Sequence, residues 1–215
     1  MVWLITGSDA SSPQAGPTTS GNPTSSASTS DGVGIATNAQ VLIRRLADAS
    51  DATFHVRYAT GAGLTSHATL EVWHTPDSVR RDLIAVSPTQ GTAHTVEILH
   101  NGKYVRCIKL DAGDFQCVGA PTSESGSLGD PLQGNNRDVA NKTVTLRHTT
   151  IAGIAADCFT VPQDTVGAKP RVFCLSKDNV PLRIDGGDGK PVDATSLDHV
   201  VPDSIFTPPA PVVGS

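Results

Sequence analysis

The four cysteines, Cys107, Cys117, Cys158 and Cys174, are the residues whose type and spacing most directly suggest chemistry in this chain. Thiols can bind a metal, form a redox pair or form a structural disulfide. No two of these cysteines form a C-x-x-C pair, which a thioredoxin-like redox site requires. Zinc ligands usually come in pairs two to four residues apart, whereas nine and fifteen residues separate these cysteines within their pairs. The spacing therefore favours structural disulfides.

Cys107 and Cys117 fall on two strand-like runs, YVRCIKL and FQCVG, which flank a short acidic turn. A three-residue loop at 111–113 would place the two cysteines opposite each other, with Gly113 in the left-handed conformation that glycine favours. Directly opposed residues of antiparallel strands have Cα atoms about 4.5–5.5 Å apart, which suits a disulfide. We expect a Cys107–Cys117 disulfide within this hairpin.

The second pair has the same arrangement, with the strand-like runs DCFTV and RVFCL joined by the breaker-rich PQDTVGAKP. Pairing Val161 with Arg171 places Cys158 opposite Cys174, so a second hairpin disulfide is expected, with free or metal-binding thiols as the alternative. Because disulfides persist in oxidising compartments, the two pairs predict an extracytoplasmic protein.

Other residue types that carry catalysis or bind metals lack the spacing that such sites use. The seven histidines form no H-x-H or H-E-x-x-H pattern, and no serine lies in G-x-S-x-G. The stretch IDGGDGKPVD lacks the alternate ligands and final glutamate of an EF-hand, so a hairpin turn is expected there. The formal net charge of −5, without a long basic run, argues against a nucleic-acid partner. We therefore expect a non-enzymatic protein with no metal and no cofactor.

The composition divides the chain into a polar N-terminal stretch and one domain of ordinary size. Residues 1–33 combine a short apolar start, MVWLIT, with a run of Ser, Thr, Gly and Pro that predicts a flexible tether. Bacterial lipoproteins carry a lipid-bearing Cys between two such segments, and Ser8 lies in its place here. We expect the domain to cover residues 34–210 and residues 211–215 to form a C-terminal tail.

Periodicity predicts one helix followed by short strands. In TNAQVLIRRLADAS, which a threonine or asparagine can cap, the apolar residues recur at helical spacing. Strict alternation follows, so Phe54, Val56 and Tyr58 share one face of a strand. Asn101-Gly102 is a strong hairpin signal. About ten strands in hairpin order predict an α+β fold, mainly antiparallel β: a half-open curled sheet, or incomplete barrel, wrapped over one or a few helices.

Three stretches carry a family resemblance: SHATLEVWHTPDSVRRDLIAV, HNGKYVRC and the ending LDHVVPDSIFTPPA. They resemble the LolA/LppX-like lipoprotein-carrier superfamily of bacterial envelopes, over roughly Gly34 to Ala210. The resemblance implies a half-open antiparallel barrel with an apolar cavity for acyl chains, no catalytic residues, and Phe206 covering one end of the barrel. The disulfide hairpins and the tether resemble actinobacterial envelope lipoproteins, which implies attachment to the membrane surface where the native chain carries an anchor.

The leading interpretation is a secreted or envelope-tethered protein that holds a lipid or another apolar small molecule, for lipid or lipoprotein transport. Burial of apolar surface would drive binding, at roughly 25 cal/mol per Å². The expected cavity lining comes from the helix and from the inner faces of strands: Leu42, Leu46, Phe54, Val56, Tyr58, Leu70, Val72, Leu83, Ile98 and Leu146. For each of these residues, ordinary core packing is the alternative.

The alternative interpretation is an envelope sensor or protein-interaction module with a packed interior. A protein partner, unknown from the sequence, would then contact outward residues such as Arg57 and Glu71, or the polar loop from Ala120 to Asn141. Arg81 could meet an acidic lipid headgroup at the cavity mouth, with a surface or strand-edge arginine as the alternative. A cavity of roughly several hundred Å³ would favour the carrier.

Overall fold

The computed structural model describes residues 37–60, 67–121, 139–187 and 191–214. The predicted tether and most of the polar loop between Ala120 and Asn141 lie outside these residues. The described part contains one α-helix, short 3₁₀ turns and twelve strands.

Helix α1 spans Asn38–Asp48 and begins with a capping box, which satisfies backbone donors at the helix start. The Thr37 hydroxyl accepts a hydrogen bond from the Gln40 backbone at 3.3 Å, and the Gln40 side-chain oxygen accepts one from the Thr37 backbone at 2.9 Å. A 3₁₀ turn, Ala49–Asp51, follows the helix. One face of the helix is buried: Ala39, Leu42 and Leu46.

Twelve strands make up the rest of the described fold. The first six are Phe54–Thr60 (β1), His67–Thr75 (β2), Ser78–Ser87 (β3), Gly91–His100 (β4), Lys103–Leu110 (β5) and Gln116–Ala120 (β6). The others are Thr145–Ile151 (β7), Ile154–Val161 (β8), Arg171–Ser176 (β9), Pro181–Asp185 (β10), Val192–Asp198 (β11) and Val212–Val213 (β12).

All twelve strands belong to one sheet, in the order β12-β6-β5-β4-β3-β2-β1-β11-β10-β9-β8-β7. The predicted fold class is confirmed, since the sheet is antiparallel except for the β12–β6 pair and is not closed into a barrel. The topology is more complex than one meander, because β1 pairs with β11 and thereby joins a β1–β6 meander to a β7–β11 meander. A pairing over such a sequence distance leaves no local signal, so hairpin patterns alone could not reveal it.

The two faces of the sheet are buried by different parts of the chain. On the face called inner here, α1 packs against β8 and β9, where Leu42 and Leu46 contact Phe159 and Phe173. On the outer face, the C-terminal segment 201–212 packs against β4, β5 and β6. Both faces of this sheet therefore carry buried apolar residues. In an antiparallel sheet with one solvated face, by contrast, that face is polar.

Phe206 is the main apolar anchor of the C-terminal segment. It lies in the 3₁₀ turn Asp203–Phe206, is buried, and clusters with Val96 and Ile98 on the outer face. Its ring stacks on His100, with the ring centroids 5.3 Å apart. The expectation that Phe206 covers one end of the barrel is therefore corrected, because it covers the outer surface of the sheet.

The domain extends beyond the expected boundary at residue 210. Val212 pairs with Cys117 and Val213 pairs with Val118 in a parallel arrangement, which makes β12 an edge strand of the sheet. Residues 212 and 213 thus pair with the sheet, whereas residues 211–215 were expected to form a C-terminal tail. A two-residue strand carries too little pattern to be recognised from sequence.

Both predicted disulfides are present, and each joins directly paired residues of an antiparallel hairpin. In the second hairpin, the predicted pairing of Val161 with Arg171 is also confirmed. The two bonds support an extracytoplasmic location, since disulfides persist in oxidising compartments.

The turn of the first disulfide hairpin differs from the prediction in one detail. Asp111, at φ 47°, adopts the left-handed conformation that was assigned to Gly113. Asp111 continues the pairing with β4, because its backbone N–H donates to the Thr92 carbonyl at 2.8 Å and its carboxylate accepts from the Thr92 backbone at 2.9 Å. These two bonds hold the aspartate in a conformation that this short polar residue tolerates.

Candidate binding site on the inner face of the sheet

A cavity of about 430 Å³ lies between the C-terminal end of α1 and the inner face of the sheet. It is lined mainly by apolar side chains, with a few polar ones among them. The lining residues are Leu46, Ala49, Ser50, Phe54, Tyr58, Leu70, Val72, His74, Val79, Arg81, Leu83, Thr95, Glu97, Arg106, Pro181, Ile184 and Val192. A volume of this size and an apolar lining with few polar groups are typical of ligand sites.

Strand register explains why these side chains converge. Successive residues of a strand point to opposite faces, and directly paired residues of neighbouring strands point to the same face. One cross-strand row is therefore inner throughout: Tyr58, Leu70, Leu83, Thr95 and Ile108. The next row along the strands is inner as well: Val56, Val72, Arg81, Glu97, Arg106 and Val118.

Three charged residues lie side by side in the second row, and we call them the charged row: Arg81 of β3, Glu97 of β4 and Arg106 of β5. The Arg106 Nε atom is 3.8 Å from Glu97 Oε1, and the Tyr104 hydroxyl donates to the same oxygen at 3.1 Å. Two guanidinium groups and one carboxylate leave this part of the lining with one net positive charge. The site can therefore accept an anionic group beside an apolar one.

Tyr58 is a buried polar side chain in the lining of the cavity. Its hydroxyl donates to the Pro181 carbonyl at 2.7 Å, which links β1 to β10. Burial raises the pKa of the Tyr58 phenol, and the nearby positive charge of Arg81 opposes that rise. The phenol is thus a neutral hydrogen-bond donor that fixes the wall, and its high pKa makes it unsuited to act as a base at neutral pH.

Six of the ten residues expected to line a cavity lie along it: Leu46, Phe54, Tyr58, Leu70, Val72 and Leu83. Two others are inner but belong to the packed core. Leu42 contacts the β8–β9 side of the sheet, and Val56 is fully buried among the strands. These two residues therefore pack in the core, which was the alternative expected for each residue of the proposed lining.

Ile98 and Leu146 do not lie at the cavity. Ile98 is on the outer face, beneath Phe206, because its neighbour Glu97 takes the inner position on β4. It borders a second groove of about 730 Å³ between β4–β6 and the C-terminal segment. Leu146 pairs with Phe159 on the edge strand β7 and is 37% exposed.

Sequence reasoning missed Glu97, Arg106 and Ile108 on the inner face. Two of the three are charged, and the prediction assumed that apolar residues mark the inner face of every strand. On β4 the reverse holds, because Val96 and Ile98 are buried under the C-terminal segment. The available signal was the hairpin register from Asn101-Gly102, which pairs Glu97 with Arg106.

The inner face continues past the cavity as an exposed apolar surface on β3, β5 and β6. Four inner side chains remain accessible there, and we call them the open wall: Leu83 (41% exposed), Ile108 (39%), Leu110 (64%) and Val118 (50%). Large exposed apolar patches on soluble domains usually mark interaction sites. The open wall and the charged row are neighbours, since Val118 pairs with Arg106.

A charged network holds α1 against the sheet. Arg45 donates to Asp157 Oδ2 at 2.5 Å, to Asn179 Oδ1 at 2.7 Å and to the Ser176 carbonyl. His148 lies 2.6 Å from the other carboxylate oxygen of Asp157. Burial alone would raise the Asp157 pKa, but the hydrogen bonds and positive charges of His148 and Arg45 prevail and hold that pKa below its ordinary value.

The described residues contain no cluster of three or more His, Cys, Asp or Glu side chains that could hold a metal ion. Within the same residues, no helix has both the length and the apolar composition needed to span a membrane.

No protein-family model and no curated protein matches the chain. Among solved structures, the fold is similar to that of MucB, with a TM-score of 0.52 and 17% identity over 80% of this chain and 62% of MucB. It is also similar to a chain in the complex structure of Pseudomonas aeruginosa MucA/MucB, with a TM-score of 0.50 and 19% identity over 80% of this chain and 61% of that one. The chain spans less than two thirds of either structure, and at these identities the likeness concerns the fold.

Proposed function

We propose that this domain is a non-enzymatic interaction module of the bacterial cell envelope and that it binds a partner protein. The observation that carries the proposal is the open wall, where the sheet leaves large apolar side chains exposed beside the charged row. A sheet that only needed to fold would bury or replace these residues, because each costs free energy in water. A partner that covers them recovers that free energy.

The comparison with solved structures supports a protein partner. A chain of similar fold occurs in the MucA/MucB complex, which is an assembly of two proteins. The sequence resemblance to the LolA/LppX-like superfamily is compatible with this proposal, since related domains of that superfamily bind partners in the envelope. No nucleophile and base were recognised in the sequence, which agrees with a binding role.

The proposal is tested by crosslinking in the cells that make this protein. The full chain, carrying an affinity tag, is crosslinked with formaldehyde in intact cells, and the bound proteins are identified against cells that lack the tag. Each candidate is then purified and titrated against the purified domain by calorimetry. We expect one protein that binds with defined stoichiometry, and the absence of any such protein would contradict the proposal.

A second candidate function is the binding of a lipid or another apolar small molecule. It is favoured by the cavity of about 430 Å³, whose volume falls within the range of about 300–1,000 Å³ of ligand sites. Native mass spectrometry of the protein purified from its host tests this candidate. A bound lipid at one copy per chain would support a carrier, and a mass equal to that of the bare chain would count against it.

Attachment to the membrane surface would keep the protein at the cell envelope, whether it binds a partner protein or a lipid. We propose that residues 1–33 serve as a tether, because their Ser, Thr, Gly and Pro content is typical of flexible linkers. Amide hydrogen exchange tests the tether, and slow exchange across this segment would contradict it.

A further inference from the structure

We propose that the inner side of β3–β6 is the docking surface for the partner, and that it takes an amphipathic helix with an acidic residue on its apolar stripe. This inference rests on the proposed function, because it names the surface and the chemistry of the same interaction. It is argued from how this sheet already packs a helix, from the exposed residues and from the charges beside them.

The sheet already binds one amphipathic helix on its inner face. On the β8–β10 side, α1 presents apolar residues at the i, i+3, i+4 and i+7 positions: Ala39, Leu42, Ile43 and Leu46. Residues at this spacing form one stripe of a helix. The contact buries the facing residues of the sheet completely, since Phe159 is 0% and Leu175 is 1% exposed.

The β3–β6 side of the same face has no such cover among the described residues. The four residues of the open wall remain between 39% and 64% exposed there. Neighbouring strands lie about 4.8 Å apart, so β3 to β6 span roughly 14 Å. An α-helix with its side chains is about 10–12 Å wide, and a single helix therefore fits this surface.

On β4–β6, only the inner side is available for a partner. The outer side of β4–β6 is covered by the C-terminal segment, where Arg80 also donates to the Ile205 carbonyl at 2.6 Å. A partner on the outer side would first have to displace Phe206 and its neighbours. On β5 and β6 the exposed apolar residues therefore lie on the inner face, which is also the face that the C-terminal segment leaves free.

The charged row determines which charge the partner must carry at this surface. Where α1 meets the sheet, an arginine on the helix, Arg45, pairs with a carboxylate on the sheet, Asp157. On the β3–β6 side the sheet itself carries two arginines and one glutamate, and the Arg106 side chain is 51% exposed. The complementary helix therefore carries a carboxylate, positioned to pair with Arg106 beside its apolar stripe.

Photo-crosslinking of the full chain tests the docking surface in the cells that make the protein. Benzoylphenylalanine replaces one residue at a time: Leu83 and Ile108 on the open wall, and Val86 as the matched control. Val86 lies on the same strand as Leu83 and is 43% exposed, but it faces the outer side. We expect a partner adduct from Leu83 and Ile108 that is at least fivefold stronger than from Val86, and peptide mapping should place it on an amphipathic helical segment with an acidic residue.

Other outcomes separate the two proposals. A protein adduct that forms only from Val86 would overturn the docking surface and leave the proposed function standing. Adducts from Leu83 and Ile108 that contain only lipid, or only another segment of this chain, would overturn the docking surface. If formaldehyde crosslinking also finds no partner, the proposed function fails with it.

Charge reversal tests the polarity with the purified partner. Arg106→Glu should weaken binding roughly fivefold, as expected for a partly exposed ion pair, and a lysine in place of the mapped acidic residue of the partner should restore it. The matched control is Arg57→Glu on the outer face, because the Arg57 side chain is 54% exposed and also pairs with a glutamate, Glu71. Equal loss for both variants, or no rescue by the partner lysine, would overturn the assigned pairing.

Discussion

Arg45 of α1 and Asp157 of β8 form an ion pair of 2.5 Å, although 112 residues separate them in the sequence. The Arg45 side chain is 14% exposed, and its remaining donors reach Asn179 and the Ser176 carbonyl. The guanidinium also lies over the Phe159 ring, 5.9 Å from its centroid. One helical residue thus anchors α1 to the sheet, and the next residue of the helix, Leu46, lines the cavity.

Replacing Arg45 with methionine should lower the free energy of unfolding by about 2 kcal/mol, because three hydrogen bonds of a charged group are lost and Asp157 keeps only His148 as a partner. Urea denaturation measures the change. Arg44→Met is the matched control, since Arg44 is exposed on the same helix, and it should change stability by less than about 0.5 kcal/mol. Equal effects of the two substitutions would contradict the anchoring role of Arg45.

The low pKa of Asp157 predicts a loss of stability in acid. A carboxyl whose pKa is lower in the folded state contributes stability that is present above its unfolded pKa and is lost as the pH falls through the folded pKa. Unfolded aspartate titrates near about pH 4, so the loss should begin there and continue below. Asp157→Asn removes this contribution, and the urea midpoints of wild type and variant should converge as the pH falls below about 4. Midpoints that stay parallel over this range would refute the linkage.

Tyr58 predicts the opposite pH dependence in alkali. Because burial raises its pKa in the folded state, its contribution is present below the unfolded pKa of about 10 and is lost as the pH rises above that value. Tyr58→Phe removes the hydrogen bond to Pro181 and should cost about 1 kcal/mol at neutral pH. The variant should also lose less stability than wild type between about pH 9 and pH 11. An alkaline limb that is identical in both proteins would count against this role.

The sequence predicts the parts of this fold that depend on local pattern. The capped helix follows from Thr37 and the apolar spacing, and both hairpin disulfides follow from register. The β1–β11 pairing and β12 could not be predicted in this way, because the first joins distant segments and the second has two residues. Hydrophobic alternation identifies which side chains are buried. It does not show which face of the sheet they are on, or which segment of the chain packs over them.

Strand β4 shows the consequence for the site. Its apolar residues Val96 and Ile98 face the C-terminal segment, while Thr95 and Glu97 face the cavity. The residues that bury this outer face of β4 come about 100 positions later in the sequence. The usual rule, that the apolar residues of an alternating strand face the main core, therefore gives the wrong face for β4. Glu97 and Arg106 are therefore not found by a search for apolar lining residues, although the Asn101-Gly102 turn sets their register.

The disulfide pairing predicts a defined peptide map. Digestion under non-reducing conditions should yield the linked pairs Cys107–Cys117 and Cys158–Cys174, because each pair is directly opposed on its hairpin. A Cys107→Ala/Cys117→Ala variant should lose about 2–3 kcal/mol of unfolding free energy in the chain-entropy model. Linkages between the two hairpins would contradict the register of both.

The cavity predicts different outcomes for two similar substitutions on neighbouring strands. Leu70 lines the cavity and is partly accessible, whereas its inner neighbour Val56 is fully buried. Leu70→Trp should place the larger ring in the existing space, keep the melting temperature near that of wild type, and reduce binding of a fluorescent fatty acid if the cavity binds apolar ligands. Val56→Trp should strain the core and cost typically about 1–3 kcal/mol.

Thermal unfolding and a titration with the fluorescent fatty acid measure the two effects. The pair forms its own control, because both substitutions introduce the same side chain on the inner face of paired β1 and β2. Stability kept in Leu70→Trp but lost in Val56→Trp would confirm that the cavity has room, whether or not the wild type binds the probe. If the wild type binds the fatty acid and Leu70→Trp does not, the result would support binding of an apolar ligand in the cavity beside Leu70. Destabilisation of both variants to the same extent would mean that the space beside Leu70 is already filled, and a wild type that also fails to bind the probe would remove the case for a carrier.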